Sequence, residues 1–136
     1  MNYPIPDTKV NYETALLAKE QTFDEVCYYH FGSDGVEFPS IKLEGGKNSQ
    51  WAKCVARPTQ AHLQKWLRKR HHIHVYCVVS DKGLPFYDVW VVKGDVRYKS
   101  EDDEYVYEES LEVGLQIGLK WIKDVETTKQ KKFKTQ

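Results

Sequence analysis

The apolar positions between residues 58 and 79 change from a helical to a strand-like spacing, and this segment has the clearest pattern in the chain. Three of them recur on one helix face: Leu63, Trp66 and Leu67. Thr59, directly after Pro58, can cap that helix. From Ile73 to Val79 apolar residues occupy every second position, which is typical of a half-buried strand. We predict a helix with its apolar stripe inward and its cations in solvent, followed at once by a strand.

Two β-hairpins are predicted where β-favouring runs flank turn-forming residues. Their paired strands are 25–31 with 36–38, and 73–79 with 86–92. Val89 and Val91 alternate with Trp90 and Val92, so both faces of that strand should be at least partly covered. Two more short strands are predicted at 51–55 and 96–99.

A further helix at each end of the chain completes the predicted elements. The first runs from about Thr8 to Glu20 and has a modest apolar side: Val10, Leu16 and Leu17. The last runs from about Tyr105 to Lys123 and is apolar around more than half of its circumference. Its narrow polar strip consists of Glu109, Glu112, Gln116 and Lys120.

Two glycines within the apolar arc of the last helix indicate close approach by a neighbouring element, because glycine otherwise weakens a helix. A core helix is the commoner explanation for so wide an apolar arc. The alternative is a homo-oligomer interface, whose candidate residues are Val113, Gly114, Ile117, Gly118 and Trp121.

These elements predict a single α+β domain over residues 1–126. Its antiparallel sheet would contain about four or five strands and be covered by three helices, in an order that reads αββ-αββ-α. Residues 127–136 are polar and Lys-rich, and we expect them to form a frayed tail.

The charge balance gives no general attraction to nucleic acid or to a membrane, since 20 basic residues match 20 acidic ones in 136. The chain start has no signal-peptide pattern, and charged residues interrupt the most apolar helix. We therefore predict a cytoplasmic protein, in a host cell, without a membrane partner. Its cysteines, Cys27, Cys54 and Cys77, are expected to be reduced thiols.

Basic and titratable residues cluster at the end of the second helix: Lys65, Arg68, Lys69, Arg70, His71, His72 and His74. One interpretation is a phosphate-contacting surface formed by Lys65, Arg68, Lys69, His72 and His74, with Trp66 or Tyr76 available for stacking. The other is that these cations only complement the helix dipole. Arg70 falls within the apolar stripe, so its stem should be buried.

Catalytic and metal-binding patterns are weak. His72 and His74 would project from one strand face and could form a metal-assisted hydrolytic site with Asp88, yet no third ligand is nearby in sequence. Cys27 and His30 have no orienting third group. The acidic run 101–104 lacks the spacing of a calcium loop and is typical of a helix start. The residues assign no catalytic group, metal or cofactor, and a non-enzymatic protein is the leading interpretation, with the metal-assisted hydrolase as an alternative.

Three blocks carry a resemblance to a known group: residues 14–23, 58–75 and 107–122. The chain resembles short uncharacterised proteins from phages and prophages of gut Bacteroidetes. That resemblance implies a phage or mobile-element origin and a similar α+β fold, with no activity to transfer. The leading hypothesis is an accessory protein that binds another macromolecule, first of all a protein. The alternatives are nucleic-acid binding at the basic cluster and the metal-assisted hydrolase.

Overall fold

A computed structural model describes residues 8–39, 45–50, 53–100 and 105–134. It is an α+β structure with three helices and two three-stranded antiparallel sheets among these residues. In chain order the elements are α1 (Tyr12–Glu20), β1 (Tyr29–Phe31), β2 (Glu37–Pro39), β3 (Val55–Ala56), α2 (Gln60–His71), β4 (His74–Val79), β5 (Tyr87–Lys93), β6 (Val96–Lys99) and α3 (Tyr107–Lys134). Trp51 and the acidic run 101–104, both used in the sequence predictions, lie outside the described residues.

The predicted inward stripe of α2 is confirmed. The Thr59 hydroxyl accepts a hydrogen bond from the His62 N–H (3.1 Å) and so begins the helix. Leu63 and Leu67 are fully buried, and Trp66 is only 8% exposed. The helix ends at a left-handed residue, His72, from which the chain turns directly into β4.

Both predicted hairpins are present, but the prediction of a single larger sheet is wrong. β2, β1 and β3 form one sheet, and β4, β5 and β6 form the other. The outer edge of β4 lies beside α2, where Gln64 Nε2 donates to the Val75 carbonyl (2.5 Å). A side chain thus occupies a backbone acceptor that another strand would need at this edge.

The order of elements extends the predicted αββ-αββ-α by one strand in each half. The two halves are not a structural duplication, because the strand order differs between the two sheets. In the first sheet the central strand is β1, the first in sequence, whereas in the second it is β5, the middle one.

Helix α3 covers one face of the β4–β5–β6 sheet and also contacts α1 and α2. We call this covered face the inner face. Its strand residues Val75, Val89 and Val91 are at most 3% exposed, as are Leu115 and Leu119 of the helix. The close approach predicted from the two helix glycines is confirmed. A Cβ atom on Gly114 would lie 2.4 Å from Val89 Cγ2, so only glycine fits without movement.

Helix α1 starts later than predicted, at Tyr12, because the Asn11 side chain accepts a hydrogen bond from the Thr14 N–H (2.9 Å) and caps it there. The predicted apolar side is also wrong in part, since Leu16 is 36% exposed. The buried face consists instead of small residues: Thr14, Ala15 and Ala18. Small side chains allow α1 to lie close to α3.

The predicted end of the last helix at Lys123 is wrong, since α3 continues to Lys134 and the expected frayed tail is mostly helical. Across the described part of the chain, no helix combines the length and the apolar character that crossing a membrane requires.

Candidate functional site

The end of α2 presents four cationic side chains that we call the cationic end of α2: Lys65, Arg68, Lys69 and Arg70. All four are exposed. None forms an ion pair with a residue that the structure describes. The surface therefore carries a local positive charge on a chain whose net charge is zero.

The sequence predicts that the stem of Arg70 is buried in the apolar stripe. The structure corrects this prediction, because Arg70 is exposed. The neighbouring stripe residue, Trp66, is already covered edge to face by Phe23 and His71, at centroid distances of 5.2 and 4.8 Å. Arg70 consequently lines a groove beside the helix. The end of α2 therefore exposes four cations, whereas the sequence predicted three.

That groove, of about 630 Å³, separates the cationic end of α2 from two carboxylates on the segment after α1. Asp24 Oδ1 accepts a hydrogen bond from the Ser49 N–H (2.8 Å), which lowers the pKa of Asp24 and keeps it ionised. Glu25 Oε1 lies 2.9 Å from His62 Nε2. Both carboxylates thus have partners of their own, and neither forms an ion pair with an α2 cation.

The two candidate histidines do not share one strand face as predicted. His72 is the left-handed cap of α2 (φ 56°), and β4 begins only at His74, so the strand alternation does not reach His72. Both side chains are exposed. They continue the exposed polar surface along the chain from α2 to the first residue of β4.

The metal-assisted hydrolytic site is not assembled by these residues. Asp88 lies opposite Val78 in the ladder, whereas His74 is four residues from Val78, which is about 13 Å along a strand. Asp88 is 6% exposed and its Oδ2 lies 3.3 Å from Lys99 Nζ. Within the ranges that the structure describes, no three His, Cys, Asp or Glu side chains are grouped closely enough to hold a metal ion.

Of the two aromatic residues considered for stacking, the structure leaves only one accessible. Trp66 is 8% exposed and covered by two rings, so it cannot receive a flat ligand. Tyr76 is 43% exposed and lies on β4, two residues after His74.

The five candidate residues of an oligomer interface fall into two groups in the structure. Gly114 and Gly118 lie against Val75 within the same chain, and the sheet therefore occludes them from a second copy. Val113, Ile117 and Trp121 are half-buried against the core. The homo-oligomer stays a prediction for these three residues.

The Cys27 thiol is in the wrong environment for a nucleophile. It is 3% exposed, and burial raises its pKa to about 12. His30 is fully buried, and its Nε2 lies 3.2 Å from the Gly46 carbonyl. Burial likewise raises the pKa of Cys77 to about 11.

We expect iodoacetamide at pH 8 to modify Cys27 and Cys77 only after denaturation, because a thiol of pKa about 12 is almost entirely protonated at that pH. Peptide mass spectrometry of native and urea-denatured protein measures this. Fast labelling of Cys27 in the native protein would contradict it and would indicate an activated thiol.

Sequence reasoning missed a second charged cluster because its members are far apart in the chain. Glu37 bridges Lys9 (2.6 Å) and Arg57. Lys9 Nζ also lies 3.6 Å from the ring centroid of Tyr29, and Arg57 lies over Phe31. No local pattern in the sequence indicates this grouping, which depends on β1, β2 and the segment before α2 meeting in the fold.

Comparison with known families finds no family model that matches the chain, and comparisons with curated proteins and with solved structures find no match either. The phage resemblance therefore stays a prediction, and the functional argument depends on the geometry alone.

Proposed function

We propose that this protein is a non-catalytic nucleic-acid-binding module that holds the phosphate backbone through the cationic end of α2. The observation that carries the proposal is the group of four exposed cations without an acidic partner among the described residues. Phosphate contacts by Lys and Arg supply most of the affinity of non-specific nucleic-acid binding.

Helix-dipole complementation does not account for this arrangement by itself. It accounts for Arg68, Lys69 and Arg70, which lie in the last turn, but the effect fades beyond that turn. Lys65 lies six residues before the helix end at His71. The carbonyl of Leu67 is also already occupied by the N–H groups of His72 and Ile73.

The chemistry of the cations also favours phosphate. Arg68 and Arg70 each present a planar guanidinium that can bind two phosphate oxygens at once, and Lys65 and Lys69 add point charges. Asp24 and Glu25 lie across the groove from Lys65, Lys69 and Arg70 and have their own hydrogen-bond partners, Ser49 and His62.

The test is a salt titration of fluorescence anisotropy with labelled 20-nucleotide DNA and RNA, single-stranded and duplex. Four phosphate contacts predict a slope of log affinity against log salt of about −3 to −4 for duplex DNA. Neutralising Lys65, Arg68 and Lys69 together to Gln should reduce the slope to about −1 and weaken low-salt binding at least ten-fold.

The matched control neutralises three lysines elsewhere: Lys53, Lys93 and Lys120. This variant has the same total charge as the α2 variant, so equal losses in both would indicate a general charge effect and contradict the proposed site. Absence of any low-salt binding by the unmodified protein would contradict nucleic-acid binding altogether.

A protein partner, the leading hypothesis from sequence, stays a second candidate because of one surface. A groove of about 610 Å³ is lined by exposed Val26, Tyr28 and Tyr29 together with Lys9 and Arg57. Tyrosine and arginine are enriched in protein interfaces. Its test is pull-down from a bacterial lysate with a Tyr28→Ser variant as the control bait; retention of the same proteins by both baits would exclude this groove.

A further inference from the structure

The β4–β5–β6 sheet has a second face, opposite α3, that we call the outer face. The extensive contacts of this sheet with described helices are those of α3 on the inner face and of α2 beside β4. Tyr76 and Val78 on the outer face are 43% and 46% exposed, respectively. The sequence predicts that both faces of β5 are at least partly covered, and Trp90 and Val92 on the outer face are half-buried.

The strand register orders the outer face into three rows, because residues directly opposite each other point to the same side. The rows are His74–Val92–Arg97, Tyr76–Trp90–Lys99 and Val78–Asp88. The central row therefore places two aromatic rings side by side on neighbouring strands. Two cations, Arg97 and Lys99, lie on the edge strand β6, and His74 lies on the edge strand β4.

The single carboxylate in these rows does not cancel the positive charge of the face toward solvent. Asp88 is 6% exposed and paired with Lys99, whereas Arg97 is exposed and forms no ion pair with any residue that the structure describes. A second copy of this chain fits poorly here, because self-association would bury Arg97 without a free acidic counterpart among the described residues of the same face. An anionic partner with flat apolar groups fits better.

We propose that the outer face binds single-stranded nucleic acid, with successive bases stacked on Tyr76 and Trp90 and the phosphates held by His74, Arg97 and Lys99. Strands in a sheet are about 4.8 Å apart, so two adjacent bases can occupy the two rings. Bases in a duplex are already stacked on each other, and the site therefore selects single strands.

This inference deepens the proposed function and rests on it. His72 and His74 join the cationic end of α2 to the first row of the outer face within three residues of chain. One strand of nucleic acid can thus follow the cations of α2 and continue onto the sheet. The α2 cations supply most of the salt-dependent part of the affinity and Arg97 and Lys99 add to it, whereas Tyr76 and Trp90 supply the preference for unpaired bases.

The test replaces Tyr76 with Thr, which keeps a strand-favouring side chain, and uses Val78→Thr as the matched control. Both positions lie on the outer face of β4 with nearly equal exposure. We expect Tyr76→Thr to weaken single-strand binding at least about five-fold, since stacking on one aromatic residue contributes that much or more. Val78→Thr and Tyr76→Phe should bind like the unmodified protein.

The slope of log affinity against log salt distinguishes this inference from the proposed function. Because stacking releases no counterions, Tyr76→Thr should lower single-strand affinity at an unchanged slope and leave duplex affinity unchanged, whereas the α2 variant lowers the slope. Normal salt-dependent binding with no effect of Tyr76→Thr, or with equal affinity for duplex and single strand, would overturn this inference and leave the proposed function standing. Equal competition by polyglutamate would also overturn it, because it would show a general polyanion surface.

Discussion

Replacing Gly114 with alanine is expected to lower the free energy of unfolding by about 2 kcal/mol, although alanine favours a helix by about 1 kcal/mol over glycine. The added Cβ would lie 2.4 Å from Val89 Cγ2 and 2.7 Å from Val75 Cγ1. Both valines are buried in the β4–β5 ladder, so neither can move without shifting the strand or the helix. Overpacking of this kind costs about 1–3 kcal/mol or more.

Gly118, one turn further along the same helix, is the matched control. A Cβ atom there would lie 3.3–3.4 Å from Leu67, Ile73 and Val75, a tight but tolerable distance. We expect Gly118→Ala to change stability by less than about 0.5 kcal/mol, because helix propensity and crowding nearly cancel. Urea unfolding followed by circular dichroism measures both variants, and equal stability of the two would contradict the close approach of α3 to the sheet at Gly114.

This pair also shows what the sequence could predict about the fold. Two glycines within an apolar helix arc indicated close approach by a neighbour, and the structure confirms it. The sequence could not rank them, because the difference depends on Val89 of a strand 25 residues earlier in the chain. Local spacing predicts which face is buried, whereas the depth of each contact depends on tertiary partners.

Strand pairing was harder to predict than strand position. Alternation predicted β4 and β5 as a hairpin, and their pairing is confirmed. The structure has two sheets, and the outer edge of β4 lies beside α2, whose Gln64 side chain donates to the Val75 carbonyl. No periodicity reveals such a contact, because it is a single hydrogen bond between elements.

The cationic end of α2 could be predicted because helix geometry places i and i+4 residues on one face, as for Lys65 and Lys69. The outer face could not be recognised as a surface from the sequence. The sequence offers Tyr76 for stacking at the basic cluster of α2, whereas Arg97 and Lys99 join Tyr76 on one face only through the register of β4, β5 and β6. Register between strands is a property of the folded sheet.

Glu112 is the second residue whose replacement should have a large effect. The sequence places Glu112 on the narrow polar strip of α3. In the structure, the Glu112 side chain anchors the start of α1. Its carboxylate accepts hydrogen bonds from the Asn11 N–H (3.0 Å), from the Thr14 hydroxyl and from Gln60 Nε2 (3.0 Å). Thr14 is fully buried and Gln60 is 4% exposed.

Glu112→Ala should lower the free energy of unfolding by about 3 kcal/mol. Hydrogen bonds to a charged group contribute about 1.5–3 kcal/mol each, and the two buried partners would lose an acceptor that water cannot readily replace. Glu112→Gln should cost less, about 1–2 kcal/mol, because the amide oxygen still accepts while the charge is lost.

Glu109 provides the control, since it is an exposed glutamate one turn earlier on the same helix. Its replacement by Ala removes one charge and no described contact, so we expect a change of about 0.5 kcal/mol or less. Urea unfolding compares the three variants, and amide hydrogen exchange locates the effect. Because the lost bonds tie α1 to α3, exchange in Tyr12–Glu20 should accelerate more in Glu112→Ala than exchange in β5. Equal costs for Glu109→Ala and Glu112→Ala would show that the carboxylate does not hold α1 in place.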